Sequence, residues 1–137
     1  MKLPTLLLFG ALLGVFLTGL NTGLFLLREE RGFNGGEIAV DLRIDYGSGD
    51  LQSFPAESLR AGSAVLELLE ALEERYGVPV ETRKFSGVGV FVEAIHGVRN
   101  TESSYWQYWV NGEYARVGAG QYILKDGDEV LWKRTGE

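Results

Sequence analysis

The stretch Tyr105–Gly112 holds four aromatic residues directly before an Asn-Gly dipeptide. Asn-Gly readily adopts the positive φ values of a two-residue type I′ turn, so the stretch predicts a strand followed by a tight hairpin. In this register Trp109 pairs with Tyr114, and Val110 pairs with Glu113. The rest of the domain has to be built around this hairpin.

The aromatic strand has two chemically different faces, because side chains alternate along a strand. The pattern predicts that the faces differ and leaves open which one is the core. A domain with one helix covers only one sheet face, so we expect some of the aromatic residues to form an exposed platform for a ligand, with core packing as the alternative for each residue. The candidate ligand-binding residues are Tyr105, Trp106, Tyr108, Trp109, Asn111 and Tyr114.

A long apolar segment lies near the N-terminus. No charged residue occurs from Leu3 to Leu27, a stretch of 25 residues. At about 1.5 Å per residue, a helix of this length measures roughly 37 Å and can cross a hydrocarbon core of about 30 Å. A cleaved signal peptide is the alternative, but its apolar region normally runs for only about 7 to 15 residues. The sequence therefore predicts a transmembrane signal anchor over residues 1–27.

The charged residues that flank this segment bear on its orientation. Lys2 precedes it, while Arg28 and Arg31 follow it. Because positive charge favours the cytoplasmic side, a simple count would leave the following domain in the cytoplasm, although long domains translocate largely regardless of such counts. Residues 28–36 are polar and glycine-bearing, as expected of a linker. Residues 37–137 are predicted to form one domain.

Beyond residue 27 the chain is acidic. It keeps 12 of the 13 Lys and Arg residues, because only Lys2 lies before that point, and all 19 Asp and Glu residues, so its net charge is −7. Nucleic acids and anionic headgroups are bound chiefly through clustered Lys and Arg. The charge balance therefore disfavours nucleic acid as a partner. The absence of cysteine excludes disulfides and thiolate chemistry.

The start of the domain carries a hairpin pattern. Apolar residues alternate along the first strand at Ile38, Val40, Leu42 and Ile44. Tyr46–Asp50 has the composition of a turn, and Leu51–Phe54 is predicted to return as a short second strand.

One helix is predicted over residues 64–76. Ser63 is the expected N-cap, and Gly77 is the expected left-handed stop. An apolar stripe follows the helical period at Val65, Leu68, Leu69, Leu72 and Tyr76. The glutamates on the opposite side are interpreted as a solvated face.

Four further strands are predicted at residues 79–85, 88–95, 105–110 and 129–133. The second of these has apolar residues on both faces, as a central strand would. Because the helix stripe needs a sheet face to cover it, the order of elements predicts an α+β fold. We expect a β-grasp-like (ubiquitin-like) mixed sheet with one packed helix.

Catalytic constellations are missing from the sequence. His96 is the only histidine, and no Ser-His-Asp, HExxH or Cys-His arrangement can be assembled around it. Asp126-Gly127-Asp128 lacks the ligand series of a calcium loop, so a plain turn is the simpler interpretation. We therefore expect neither an enzyme nor a metal site.

The order of features from Ala61 to Lys133 resembles a known family. The features that carry the resemblance are the Gly62-Ser63 helix start, Ile95-His96-Gly97-Val98, Tyr105-Trp106 leading to Tyr108-Trp109-Val110-Asn111-Gly112, the Gly118 step before Tyr122, and Lys125-Asp126-Gly127-Asp128 before Val130-Leu131-Trp132. This arrangement is similar to the transcobalamin-like C-terminal domain, a bacterial and archaeal family of unknown function in the soluble-ligand-binding β-grasp group. The resemblance covers residues 37–134 and implies a β-grasp domain on the extracytoplasmic side of the membrane.

The resemblance also bears on the ligand. In vertebrate cobalamin carriers the related domain closes over the corrinoid bound against a helical barrel domain, and these 137 residues contain no counterpart of that barrel. The resemblance therefore implies no resident cofactor and makes a cobalamin-like molecule one candidate ligand.

Two functions of different classes fit these observations. The first is a membrane-anchored, extracytoplasmic module that binds a small molecule, corrinoid-like or a sugar, on the aromatic platform. The second is a structural or interaction module of the cell envelope that uses a sheet edge or the same aromatic residues against protein or polysaccharide. A concave pocket beside Trp106 or Trp109 would favour the first, and a flat or convex patch would favour the second.

Overall fold

The computed structural model describes residues 36–136. The predicted membrane anchor, residues 1–27, lies outside the described residues, as does the predicted linker up to residue 35. Within residues 36–136, no helix combines the length and the apolar content needed to cross a bilayer.

Eight strands and one helix make up the described part of the chain, which confirms the predicted α+β class: mostly sheet with a single helix. In chain order they are β1 (Glu37–Asp45), β2 (Leu51–Arg60), α1 (Val65–Tyr76), β3 (Val80–Phe85), β4 (Gly89–Ile95), β5 (Val98–Arg99), β6 (Ser104–Val110), β7 (Glu113–Tyr114) and β8 (Glu129–Gly136).

The larger sheet has five strands in the order β2-β1-β8-β6-β7. Strands β1 and β8 are parallel, with Asp41 opposite Glu129 and Ile44 opposite Trp132. The other neighbours in this sheet pair antiparallel. The last strand of the chain therefore lies in the middle of the sheet, between the first strand and the aromatic strand.

Strands β3, β4 and β5 form a separate antiparallel sheet. The strands are thus divided between two sheets, and Asn100 explains the interruption. Its Nδ2 donates to the Val92 carbonyl of β4 (3.0 Å), and its Oδ1 accepts from the Trp106 N–H of β6 (2.8 Å). A side chain thus occupies the position where a backbone ladder between β4 and β6 would continue.

Strand β2 is longer than predicted. Proline usually ends a strand, because it has no N–H to donate. Here Val40 pairs with Glu57 but Leu42 pairs with Phe54, so Pro55 lies in a bulge. The Ala56 N–H donates to the Asp41 carboxylate across the bulge (2.8 Å), and the strand continues beyond it.

The N-cap of helix α1 lies one residue later than predicted. Ala64, and not Ser63, is the N-cap residue, with extended backbone angles, and its N–H donates to the Glu67 carboxylate (3.1 Å). The N–H groups of Val65 and Leu66 donate to carbonyls of the 119–122 segment, which satisfies two donors of the first turn without a capping serine. Gly77 ends the helix in the left-handed conformation, as predicted (φ 66°).

The core lies between α1 and one face of the larger sheet. The alternating residues of β1 and four residues of the helix stripe are buried, as the patterns predict. Tyr76 is the exception, because this last helical residue is more than half exposed. Its ring packs against Phe54 and its hydroxyl donates to Glu57 (2.6 Å). Glu57 is itself buried and paired with Arg75 (2.8 Å).

Candidate functional site

The β6–β7 hairpin has the predicted register. Asn111 and Gly112 adopt φ values of 52° and 80°, and Trp109 pairs with Tyr114 as the Asn-Gly signal indicates. The Asn111 side chain donates to the Asp128 carboxylate and accepts from the Glu129 N–H, both at 2.9 Å. Asn111 therefore ties this hairpin to the turn that precedes β8.

Trp106 and Tyr108 occupy the inner face of β6 with Val110. They are only 7% and 6% exposed. The Trp106 Nε1–H donates to the Val98 carbonyl (2.7 Å), and the Tyr108 hydroxyl donates to the Val117 carbonyl (2.6 Å). Burial, helped by the neighbouring phenols of Tyr122 and Tyr114, raises the pKa of Tyr108 to about 12. Both polar tips are thus satisfied inside the core.

The outer face of the β6–β7 hairpin carries the other predicted aromatic residues. Tyr105 and Tyr114 are each 50% exposed, and Trp109 packs edge-on against Tyr114 with ring centroids 5.5 Å apart. Gln107 Nε2 lies 3.1 Å from the Tyr114 hydroxyl. The prediction that the two faces differ is confirmed. The six candidate residues divide into three on the outer face, two in the core and one in the turn.

A groove of about 870 Å³ runs between β4 and β6, and we call it the β4–β6 groove. Its lining comes from residues in the segments 88–92, 105–108 and 114–119, together with Asn100, Gln121 and Trp132. Two other cavities in the same domain measure about 340 and 400 Å³. The groove is therefore more than twice as large as either of them and lies beside Trp106, whereas Trp109 does not line it.

Exposed apolar side chains concentrate at this groove. Nine large hydrophobic residues are exposed in the described part of the chain, and five of them line the groove: Val88, Phe91, Tyr105, Tyr114 and Val117. Exposed apolar residues that cluster in a concavity mark a binding surface more specifically than scattered ones do.

The sequence signals for these lining residues are uneven. Val88 and Phe91 belong to the predicted strand with apolar residues on both faces, which is the signal that could have found them. The 115–121 segment forms no strand in the structure and carries no periodic pattern, so no sequence signal marked Val117 and Arg116 as lining residues.

The groove also exposes part of the main chain of β6. Pairing with β8 engages the odd-numbered residues, so the N–H and C=O groups of Trp106 and Tyr108 point away from it. The Trp106 N–H donates to Asn100, and the Tyr108 C=O accepts from Ala115 (3.0 Å). Between residues 36 and 136, the Trp106 C=O and the Tyr108 N–H have no hydrogen-bond partner.

Trp132 has an unsatisfied polar group next to the groove. This residue lines the groove from β8, and its indole Nε1–H is buried without an acceptor in the part of the chain that the structure describes. A buried donor without a partner costs about 1 to 3 kcal/mol. Such groups are rare in folded proteins.

Residues that the sequence singled out for chemistry have structural roles. His96 lies in the β4–β5 turn with a positive φ of 50°, and its ring packs edge-on against Tyr46. Asp126 accepts from the Ala39 N–H and Asp128 accepts from the Lys125 N–H, both at 2.8 Å. No cluster of three or more His, Cys, Asp or Glu side chains suited to a metal ion occurs within residues 36–136.

Comparison with known proteins agrees with this architecture. The family described as a domain of unknown function, DUF4430, matches residues 62–136, and the chain belongs to it. The predicted transcobalamin-like family is thereby confirmed, since haptocorrin is among the similar structures. No curated protein sequence matches the chain.

Two solved structures illustrate the fold. Haptocorrin in complex with Cbi matches with a TM-score of 0.68 and 18% identity, over 74% of this chain and 26% of haptocorrin. A protein from Ruminococcus gnavus ATCC 29149, described as a candidate metal-binding protein, matches with a TM-score of 0.55 and 18% identity, over 73% of this chain and 98% of its own. The chain thus corresponds to about a quarter of haptocorrin, and both likenesses concern the fold.

Proposed function

We propose that this protein is a non-catalytic binding module that takes up a small molecule in the β4–β6 groove. The observation that carries the proposal is that five of the nine exposed hydrophobic residues of the described chain line this one groove. A volume of about 870 Å³ lies within the range of roughly 300 to 1,000 Å³ that is typical of ligand pockets.

The fold assignment supports a binding role. A mixed sheet in the order β2-β1-β8-β6-β7, with a parallel central pair and one helix across it, is the arrangement expected of a β-grasp domain. We infer that the domain belongs to the soluble-ligand-binding β-grasp group. Haptocorrin was solved in complex with Cbi, which keeps a corrinoid-like molecule among the candidate ligands, beside a sugar.

A structural or interaction module remains the second candidate. It would use the outer face of β6, where Tyr105, Trp109 and Tyr114 are accessible to a protein or polysaccharide. Shape favours the small molecule, because the aromatic residues border a concave groove and not only a flat patch. The non-catalytic role is supported by His96, Asp126 and Asp128, whose positions in turns leave no assembled acid–base pair among them.

We also propose that the module is held outside the cytoplasm by a single transmembrane helix. The length of the apolar segment from Leu3 to Leu27 supports the span, and the resemblance to the transcobalamin-like family motivates the choice of side. Protease treatment of intact cells tests the side. A domain that stays protected until the membrane is breached would place it in the cytoplasm, as the Lys and Arg count suggests.

Ligand uptake can be tested with indole, a small neutral aromatic probe. We expect titration of the ¹⁵N-labelled full chain in mild detergent to shift the amide signals of residues 88–92, 105–108 and 114–119. Phe91→Ala should weaken indole binding by about fivefold, because it removes an aromatic wall of the groove. Leu51→Ala is the matched control, since Leu51 is also exposed and lies outside the groove. Equal loss in both variants, or shifts elsewhere only, would contradict the proposal.

A further inference from the structure

Among the residues that the structure describes, Arg116 is the only charged one that lines the β4–β6 groove. It lies in a domain whose overall charge is strongly negative, and it forms no ion pair with any residue between 36 and 136. Two other polar side chains of the lining already have hydrogen-bond partners. Asn100 bridges β4 to β6, and Gln107 bonds Tyr114 and Thr135. A guanidinium available in an otherwise uncharged apolar groove suits a carboxylate or phosphate on the ligand.

The main-chain groups of β6 that have no hydrogen-bond partner between residues 36 and 136 indicate which further groups the ligand carries. The Trp106 C=O and the Tyr108 N–H flank Gln107, and in a parallel ladder these two groups bond the N–H and the C=O of one facing residue. Arg116 directly follows Ala115, whose N–H donates to the Tyr108 carbonyl (3.0 Å). The acceptor, the donor and the cation therefore belong to one short part of the groove.

We propose that the groove binds a small N-acyl amino acid, or a molecule with that chemistry: an apolar body, one secondary amide N–H and a carboxylate next to it. The ligand N–H donates to the Trp106 carbonyl. Its carboxylate accepts from the Tyr108 N–H and from Arg116. Its apolar groups pack against Phe91, Val117 and the neighbouring aromatic residues. This assignment rests on the proposed function of the groove.

Three water-soluble probes test the assignment on the ¹⁵N-labelled full chain. N-acetyl-L-phenylalanine carries both the amide N–H and the carboxylate. N-acetyl-L-phenylalaninamide keeps the N–H and loses the charge, and 3-phenylpropionate keeps the charge and loses the N–H. We expect the first probe to bind about tenfold more tightly than either of the others, since each lacks one charged or hydrogen-bonding contact. We also expect the first probe to move the Tyr108 amide signal downfield.

Variants identify the cation. Arg116→Gln should remove the preference for N-acetyl-L-phenylalanine over its amide, because the charged probe loses more affinity than the neutral one. Arg116→Lys should keep part of the preference, because the charge remains while the bidentate geometry is lost. Arg60→Gln is the matched control, because Arg60 is an exposed arginine outside the groove.

The outcomes separate this inference from the function on which it rests. Equal affinity for the acid and the amide, or equal effects of the Arg116 and Arg60 substitutions, would overturn the assignment. So would the failure of all three probes while indole still binds, and in that case the groove would remain a binding site. Failure of indole as well would overturn the proposed function itself.

Discussion

The two faces of β6 carry similar side chains but differ in their burial. On the inner face, Trp106 and Tyr108 are buried, and their polar groups donate hydrogen bonds to the carbonyls of Val98 and Val117. On the outer face, Trp109 and Tyr114 pack mainly on each other and remain accessible. Aromatic content alone therefore does not distinguish a core face from a surface face. The two faces are distinguished by the neighbours that accept hydrogen bonds from the polar groups of the aromatic side chains.

Trp106→Ala is the substitution with the largest expected effect on this contrast. It removes a buried indole and its hydrogen bond to Val98, so we expect a loss of about 3 to 5 kcal/mol in the free energy of unfolding. Urea unfolding of the full chain, followed by fluorescence of the remaining tryptophans, measures the loss. A cost below about 1 kcal/mol would mean that the inner face is not the core.

Asn111→Ala comes next, because Asn111 joins the hairpin to the turn before β8. The substitution removes two side-chain hydrogen bonds and places alanine at a positive φ, for an expected cost of about 1 to 3 kcal/mol. Asn111→Gly relieves the backbone strain while still losing both bonds. A smaller cost for glycine than for alanine, in the same urea assay, would separate the two contributions.

Alkaline pH tests the inner face through Tyr108. Burial raises the pKa of its phenol to about 12, above its value of about 10 in an unfolded chain. The folded state therefore holds this proton more tightly. Its contribution to stability is complete below a pH of about 10 and is lost as the pH rises toward about 12. Tyr108→Phe should lower stability at neutral pH and show a shallower alkaline decline in the urea midpoint. An unchanged decline would assign the loss to other groups.

Trp109→Ala should have the smallest effect. It removes one edge-to-face contact with Tyr114 from a partly exposed position, so we expect a cost of no more than about 1 kcal/mol. Indole affinity should stay the same, because Trp109 does not line the β4–β6 groove. If this variant unfolds as readily as Trp106→Ala, both tryptophans are core, and the second candidate function loses the accessible outer face that it requires.

Local patterns account for the parts of the fold that could be predicted from the sequence. The alternation in β1 and the helical stripe from Val65 to Leu72 each repeat over several residues, so tertiary context only had to agree with them. The Asn-Gly dipeptide similarly determines its hairpin register from two residues. The sequence could not show which face of β6 is buried, because both faces carry aromatic residues and only long-range packing decides between them.

Features that depend on distant side chains could not be predicted. The second sheet exists as a separate unit because the Asn100 side chain bonds both β4 and β6, and nothing in the sequence around residue 100 signals that contact. Strand β2 passes through Pro55 because Asp41, on another strand, accepts from Ala56. The groove likewise joins segments of different periodicity, one of which forms no regular element.

The position of β8 sets the order in which this domain can be made. The strand that completes the sheet is the last to be synthesised, and its partner β1 lies almost ninety residues earlier, with Asp41 paired to Glu129. Until residues 129–136 have left the ribosome, β1 and β6 lack the neighbour that both require. Folding of this sheet is therefore expected to wait until β8 has emerged, and long-range pairing of this kind is slow. A nascent chain stalled before residue 129 would stay sensitive to protease even with every other element already synthesised.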